Sequence, residues 1–171
     1  MAEHSPINEL INDLVPPAEV DRFSNPVEAR KKAMDYLARR EHSRDELYHK
    51  MEKAGFEPNV ALDAIEQLQK DGLQSDRRFV DAFIESRIGQ GKGPVRIRAE
   101  LCQRGIRQAM IQEVLSETEQ DWHALAKDIR VRKFGEDTPE DFKDKVRQMR
   151  FLQYRGFEPD QVQAAVSSQD D

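Results

Sequence analysis

The apolar residues of this chain fall in short stripes of helical period, and the stripes are cut by glycine and proline. Asn25-Pro26-Val27-Glu28 is a helix start, with Asn as the cap and Pro in the first helical position. Ala33, Met34, Tyr36 and Leu37 follow as a narrow stripe. Ser43, with Glu46 three residues on, starts a second helix whose Leu47 and Met51 share a face, and Gly55 stops it. Glu57-Pro58 opens a third, with Val60, Ala61, Ala64, Ile65 and Leu68 inward and Gly72 at its end. The same order returns twice. Phe79, Val80, Phe83, Ile84 and Ile88 make one face, Ile97 and Leu101 a second, and Met110, Ile111, Val114 and Leu115 a third. Trp122, Leu125, Ala126 and Ile129 then precede a helix expected from Thr138-Pro139 through Phe142, Val146, Met149 and Leu152 to Gly156. No segment alternates with the period of a strand.

Gly55, Gly105 and Gly156 stand 50 and 51 residues apart. Each is followed by a large apolar residue (Phe56, Ile106, Phe157) and preceded, four positions back, by Met51, Leu101 or Leu152. A fixed period of this length marks a repeat architecture. The reading is all-α, with three tandem three-helix, helix-turn-helix-like repeats forming an elongated, curved molecule, because repeats contact mainly their neighbours. Residues 27–73, 74–118 and 119–171 are the repeats, and residues 1–26 are an acidic N-terminal extension. The middle helix of the third repeat is expected to be the longest of its kind.

Composition fits a thin-cored helical protein. Only 37% of the 171 residues are hydrophobic and 35% are charged, which favours a large wet surface over a deep catalytic core. No apolar run reaches the roughly 20 residues of a membrane span, and the N-terminus lacks the basic start and apolar block of a signal peptide. A single cysteine, Cys102, permits no internal disulfide, so a reducing, cytoplasmic location is expected. The net charge of −6 is unevenly spread. Between Arg87 and Arg107 six bases face Glu100 alone, and Lys143, Lys145, Arg147, Arg150 and Arg155 crowd around Asp144. Basic patches therefore survive inside an acidic chain.

The stretches "YLARREHSRDEL" (residues 36–47, with "GF" after them), "GPVRIRAELCQRGI" (93–106), "RKFG" (132–135) and "RFLQYRGF" (150–157) resemble the RecX family, in order and over roughly residues 27–168. The resemblance implies three tandem three-helix repeats and a non-enzymatic modulator of the RecA recombinase, with no cofactor. Such a protein would bind in the groove of the RecA filament and limit filament growth, ATP hydrolysis, strand exchange and co-protease activity. Its partners would be RecA and single-stranded DNA, met directly or through the filament. No membrane is involved, and a monomer is expected. The alternative, an autonomous DNA-binding protein built from the same units, sits poorly with a net −6 charge, since nonspecific affinity comes from neutralising phosphates.

Arginine suits phosphate and carboxylate partners because its planar fork donates two parallel hydrogen bonds. The candidate contacts are Arg39 and Arg40; Arg87, Lys92, Arg96, Arg98 and Arg104; Arg132 and Lys133; and Arg147, Arg150 and Arg155. Many surface charges do no more than solubilise a helix face, which is the competing reading of each. "GQGKGP" (89–94) lacks the Lys-Ser/Thr of a phosphate loop and reads as a flexible connector that could present Lys92. His42 has no second ligand at metal spacing. Cys102, beside Leu101, is expected to be a buried, inert thiol, and Trp122 and the phenylalanines are expected in the core. No nucleophile, base and orienting group come together, so no catalytic residue is assigned.

Overall fold

The computed structural model describes residues 21–167, which hold nine helices and no strand. Helices α1 (Pro26–Arg39), α2 (Arg44–Lys53) and α3 (Pro58–Lys70) form the first domain. Then come α4 (Asp76–Gly89), α5 (Pro94–Gln103) and α6 (Gln108–Glu117), and finally α7 (Trp122–Phe134), α8 (Phe142–Arg155) and α9 (Pro159–Val166). The chain divides between Gln74 and Ser75 into two compact units, the first domain by itself and the second and third together. The acidic segment 1–20 lies outside the described residues. None of the described helices is long and apolar enough to cross a membrane.

The glycine corners explain the period. At each one the glycine takes a positive φ (103° at Gly55, 78° at Gly105, 93° at Gly156), a region that side chains with a Cβ avoid. The next amide then reaches back five residues. Phe56 N donates to Met51 O (3.1 Å), Ile106 N to Leu101 O (3.2 Å) and Phe157 N to Leu152 O (3.2 Å). This bond pattern closes a helix end and turns the chain into the next helix. Met51, Leu101 and Leu152 are fully buried, and Phe56, Ile106 and Phe157 nearly so, so each corner nails one helix to the domain core. Burial of one such side chain contributes on the order of 1.5–3 kcal/mol.

Each domain keeps its own core. The first is small-residue rich: Ala29 and Ala33 of α1 lie with Ala61 and Ala64 of α3, around Leu47, Met51, Ile65 and Leu68. Phe23 packs edge-on against Phe56 at 5.6 Å, and its carbonyl accepts from Glu57 N (3.0 Å), so this domain begins packing before residue 27. The second core joins Phe79, Val80, Phe83 and Ile84 to Ile97, Leu101, Ile111 and Val114. The third is the thinnest, with Ala126, Leu152, Phe157, Val162, Ala165 and Val166.

Four expectations are corrected by the packing. Met34 is 42% exposed, because it lies one position, about 100° of helix turn, away from buried Ala33. Phe142 is 81% exposed rather than in the core. The helix expected from Thr138-Pro139 starts instead at Phe142, where the Asp141 carboxylate accepts from Asp144 N (2.7 Å) and fixes the first turn. That helix is still the longest middle helix, 14 residues against 10 for α2 and α5. Cys102 is exposed, because Leu101 takes the core position and the next residue turns outward. It opens onto a groove of about 680 Å³ that Trp122 and Ile111 also line. Trp122 itself is partly buried against the second core.

Candidate protein and nucleic-acid interface

Arg87 near the end of α4, Lys92 in the connector and Arg96 of α5 converge on Glu100, the one acid between Arg87 and Arg107. Glu100 accepts from Arg87 Nε at 2.8 Å, with Arg96 Nε at 3.5 Å and Lys92 Nζ at 3.7 Å. Burial pushes its carboxyl up, but the Arg87 hydrogen bond and the charges of Arg87, Lys92 and Arg96 outweigh burial and hold it below its ordinary value. The Arg87 and Lys92 side chains are each only 17% exposed. Arg87 and Arg104 also lie over the Phe83 ring, at 4.1 and 4.8 Å from its centroid. The lone acid in a basic stretch, four residues after Arg96, was the sequence signal for this hub.

The 89–94 connector is a pinned joint rather than a flexible presenter of Lys92. Gly93 N donates to Arg155 O (2.8 Å) and Val95 N to Gly156 O (2.9 Å), while Arg155 Nη1 donates to Gln90 O (2.9 Å). The backbones are so close that a Cβ on Gly93 would lie 2.4 Å from the carbonyl carbon and oxygen of Gly156. Arg98 pairs with Glu158 across the same seam. Arg98 and Arg155 thus hold the second and third domains together. Arg104 is the cap residue after α5 and does not continue the helix face of Arg96.

The third domain carries a different arrangement. A buried guanidinium, Arg130 (2% exposed), donates to the carbonyls of Asp137 (3.1 Å) and Glu136 (3.3 Å) and to Gln148 Oε1 (3.2 Å). It pins the α7–α8 connection from beneath. Gln148 Nε2 passes the chain to Asp144 Oδ2 (3.0 Å), and Asp144 Oδ1 takes Arg147 Nη2 at 2.8 Å. Sequence reasoning missed Arg130, and the polar Gln148 at an inward α8 position was its only signal.

Outward from this relay the surface is cationic and aromatic. Phe134 and Phe151 meet edge to face at 5.3 Å. Arg147 lies over Phe134, and Arg155 and Lys133 lie over Phe151, at 5.3, 5.2 and 5.9 Å from the ring centroids. Arg132 is 74% exposed and pairs with Asp128 (3.0 Å) on its own helix. Arg150 is exposed. In the first domain Arg39 is exposed, whereas Arg40 is held by Glu46 (3.0 Å) and by the Glu41 carbonyl (2.9 Å). Of the candidate cations, then, Arg39, Arg132, Lys133, Arg147 and Arg150 face solvent, and Arg87, Lys92, Arg98 and Arg155 chiefly serve the framework.

These features define a tandem array of three-helix domains with a cationic face on the third domain and, among the described residues, no acid, histidine or cysteine cluster that could hold a metal. The chain matches the first three-helix domain of RecX over residues 29–68, the second over 75–115 and the third over 119–166. It is 44% identical over 142 residues to "Regulatory protein RecX" of Halorhodospira halophila, covering 83% of this chain and 88% of that one. It is 42% identical over 148 residues to the protein of the same name from Pseudomonas putida, covering 86% and 95%. The fold matches the crystal structure of RecX from Lactobacillus salivarius with a TM-score of 0.69 at 16% identity, over 82% of this chain and 94% of that one. A second crystal structure, of a regulatory protein RecX, matches with a TM-score of 0.70 at 18% identity, over 95% and 78%. The chain belongs to the RecX family.

Proposed function

We propose that this protein is a non-catalytic regulator that binds the RecA filament on single-stranded DNA in the bacterial cytoplasm and restrains its growth, ATP hydrolysis, strand exchange and co-protease activity. Membership of a family of regulatory proteins over all three domains carries this reading. The outward cations Arg39, Arg132, Lys133, Arg147 and Arg150 meet DNA phosphates or acidic protein surface. Arg40, Arg87, Lys92, Arg96, Arg98, Arg104 and Arg155 act by holding the domains in shape. One monomer contacts the filament through several domains, so affinity comes from effective concentration rather than from one deep pocket. The test adds the purified protein at substoichiometric levels to RecA on single-stranded DNA. ATP turnover should fall and filaments should shorten; unchanged turnover and length would sink the reading.

A further inference from the structure

Helix α8 carries four exposed side chains on one line. Lys143, Arg147, Arg150 and Tyr154 follow one another at steps of four, three and four residues and are all exposed. At about 100° per residue they lie within roughly 60° of one another around the axis, and at about 1.5 Å per residue the line is about 16 Å long. Tyr154 is 79% exposed, on the same line as three cations, and the Arg96 guanidinium stands 5.7 Å from its ring centroid. Arg147 is 68% exposed and already oriented by Asp144, which the buried Arg130–Gln148 relay positions in turn. Arg96 stands over one face of the Tyr154 ring, and the ring's exposure leaves the other face open, whereas the neighbouring Phe134 and Phe151 are partly buried and carry cations of their own.

We infer that this line is a track for single-stranded nucleic acid, with Lys143, Arg147 and Arg150 taking phosphates and Tyr154 stacking an unpaired base. The inference deepens the filament reading and rests on it for the strand's setting. A row of cations leading to an aromatic platform is how sequence-tolerant single-strand binding is built, because every base presents a π-face. Arg96 beside the ring adds a positive charge at the platform. A paired base has no free face for Tyr154, which sets the single strand above the duplex. Length agrees as well, since about 16 Å spans several nucleotides at roughly 3.4 Å per stacked step.

The test measures anisotropy of a fluorescein-labelled oligothymidylate with the full-length protein, without recombinase, across a salt series starting near 50 mM. Tyr154→Ala should weaken binding about 5- to 100-fold, and Tyr154→Phe should bind nearly as the parent. Replacing Lys143, Arg147 and Arg150 together by Gln should weaken binding and reduce the salt slope by about 2, at roughly 0.7 per phosphate. The inference is overturned if the parent does not bind at low salt, if Tyr154→Ala binds like the parent, or if poly-L-glutamate competes as well per charge as the oligonucleotide. RecA ATP turnover in the same samples separates the two readings. Binding through Tyr154 with RecA unaffected sustains the track and sinks the filament reading. Inhibition of RecA together with parent-like binding by Tyr154→Ala does the reverse.

Discussion

Gly93 and Gly156 meet backbone to backbone, and neither position leaves room for a Cβ. Gly93→Ala should therefore cost several kcal/mol, on the order of an overpacked core site or more, because the clash is with a carbonyl rather than a movable side chain. Gly89 is the last residue of the helix that leads into the same joint, and a Cβ there meets nothing within 4 Å. Gly89→Ala should be neutral or stabilising by about 0.5–1 kcal/mol. Thermal melts of the two variants check both; equal melting temperatures would contradict the joint. The corner glycines Gly55, Gly105 and Gly156 were legible in the sequence because a corner is a local event, set by the residues within one turn. Gly93 was not, because its constraint comes from a partner more than sixty residues away. Cys102 and Phe142 were misread for a related reason. An apolar type at helical spacing fixes a face only when its neighbours fix which face is inward, and Leu101 and Gln148 take those inward positions.

At the scale of elements, helix starts were read correctly at Asn25 and Ser43, whose capping side chains stand next to their helices; Ser75 and Asp121 cap their helices in the same way without having been singled out. Helix α8 shows the limit. Thr138-Pro139 is a good start signal, yet Arg130 beneath holds the carbonyls of Glu136 and Asp137 in a connection, and the helix waits for Asp141. The connection between α1 and α2 holds a titratable group in a similar way. His42 is 2% exposed, its Nδ1 lies 3.0 Å from Arg40 O, and its Nε2 is buried without a hydrogen-bond partner. Burial, with help from the Arg40 charge, outweighs the Arg40 carbonyl and Glu46 and holds the imidazole below its usual 6.5. The folded protein thus binds this proton less readily than the unfolded chain does. Stability contributed by neutral His42 is present above about pH 6.5 and is lost as pH falls below it. Melting temperature should drop between pH 7.5 and 5.5, and His42→Gln should flatten that drop. An equal pH dependence in parent and variant would rule His42 out as its source.

The whole molecule follows from the three thin cores. With each domain closing its own core, much of the charged surface is left for helix faces, which is how a chain of net −6 can display cationic lines. The three-domain plan was legible because a period near 50 repeats both the glycine and its two apolar neighbours. The division of labour among the arginines was only partly legible: Glu100, four residues after Arg96 and alone among bases, marks a pairing site, but that Arg87 and Lys92 reach it too depends on how α4 packs on α5. Arg87, Lys92 and Arg96, candidate contacts in the sequence, are paired with Glu100, whereas Arg132, Lys133, Arg147 and Arg150 of the third domain are exposed. The most direct measurement is a cryo-electron microscopy structure of the protein on a RecA filament assembled on single-stranded DNA. The Lys143–Arg147–Arg150–Tyr154 face of α8 should lie against the bound strand, with Glu100 still holding Arg87, Lys92 and Arg96. A filament-bound protein with that face turned to solvent, and the α4–α5 cations on the DNA instead, would contradict it.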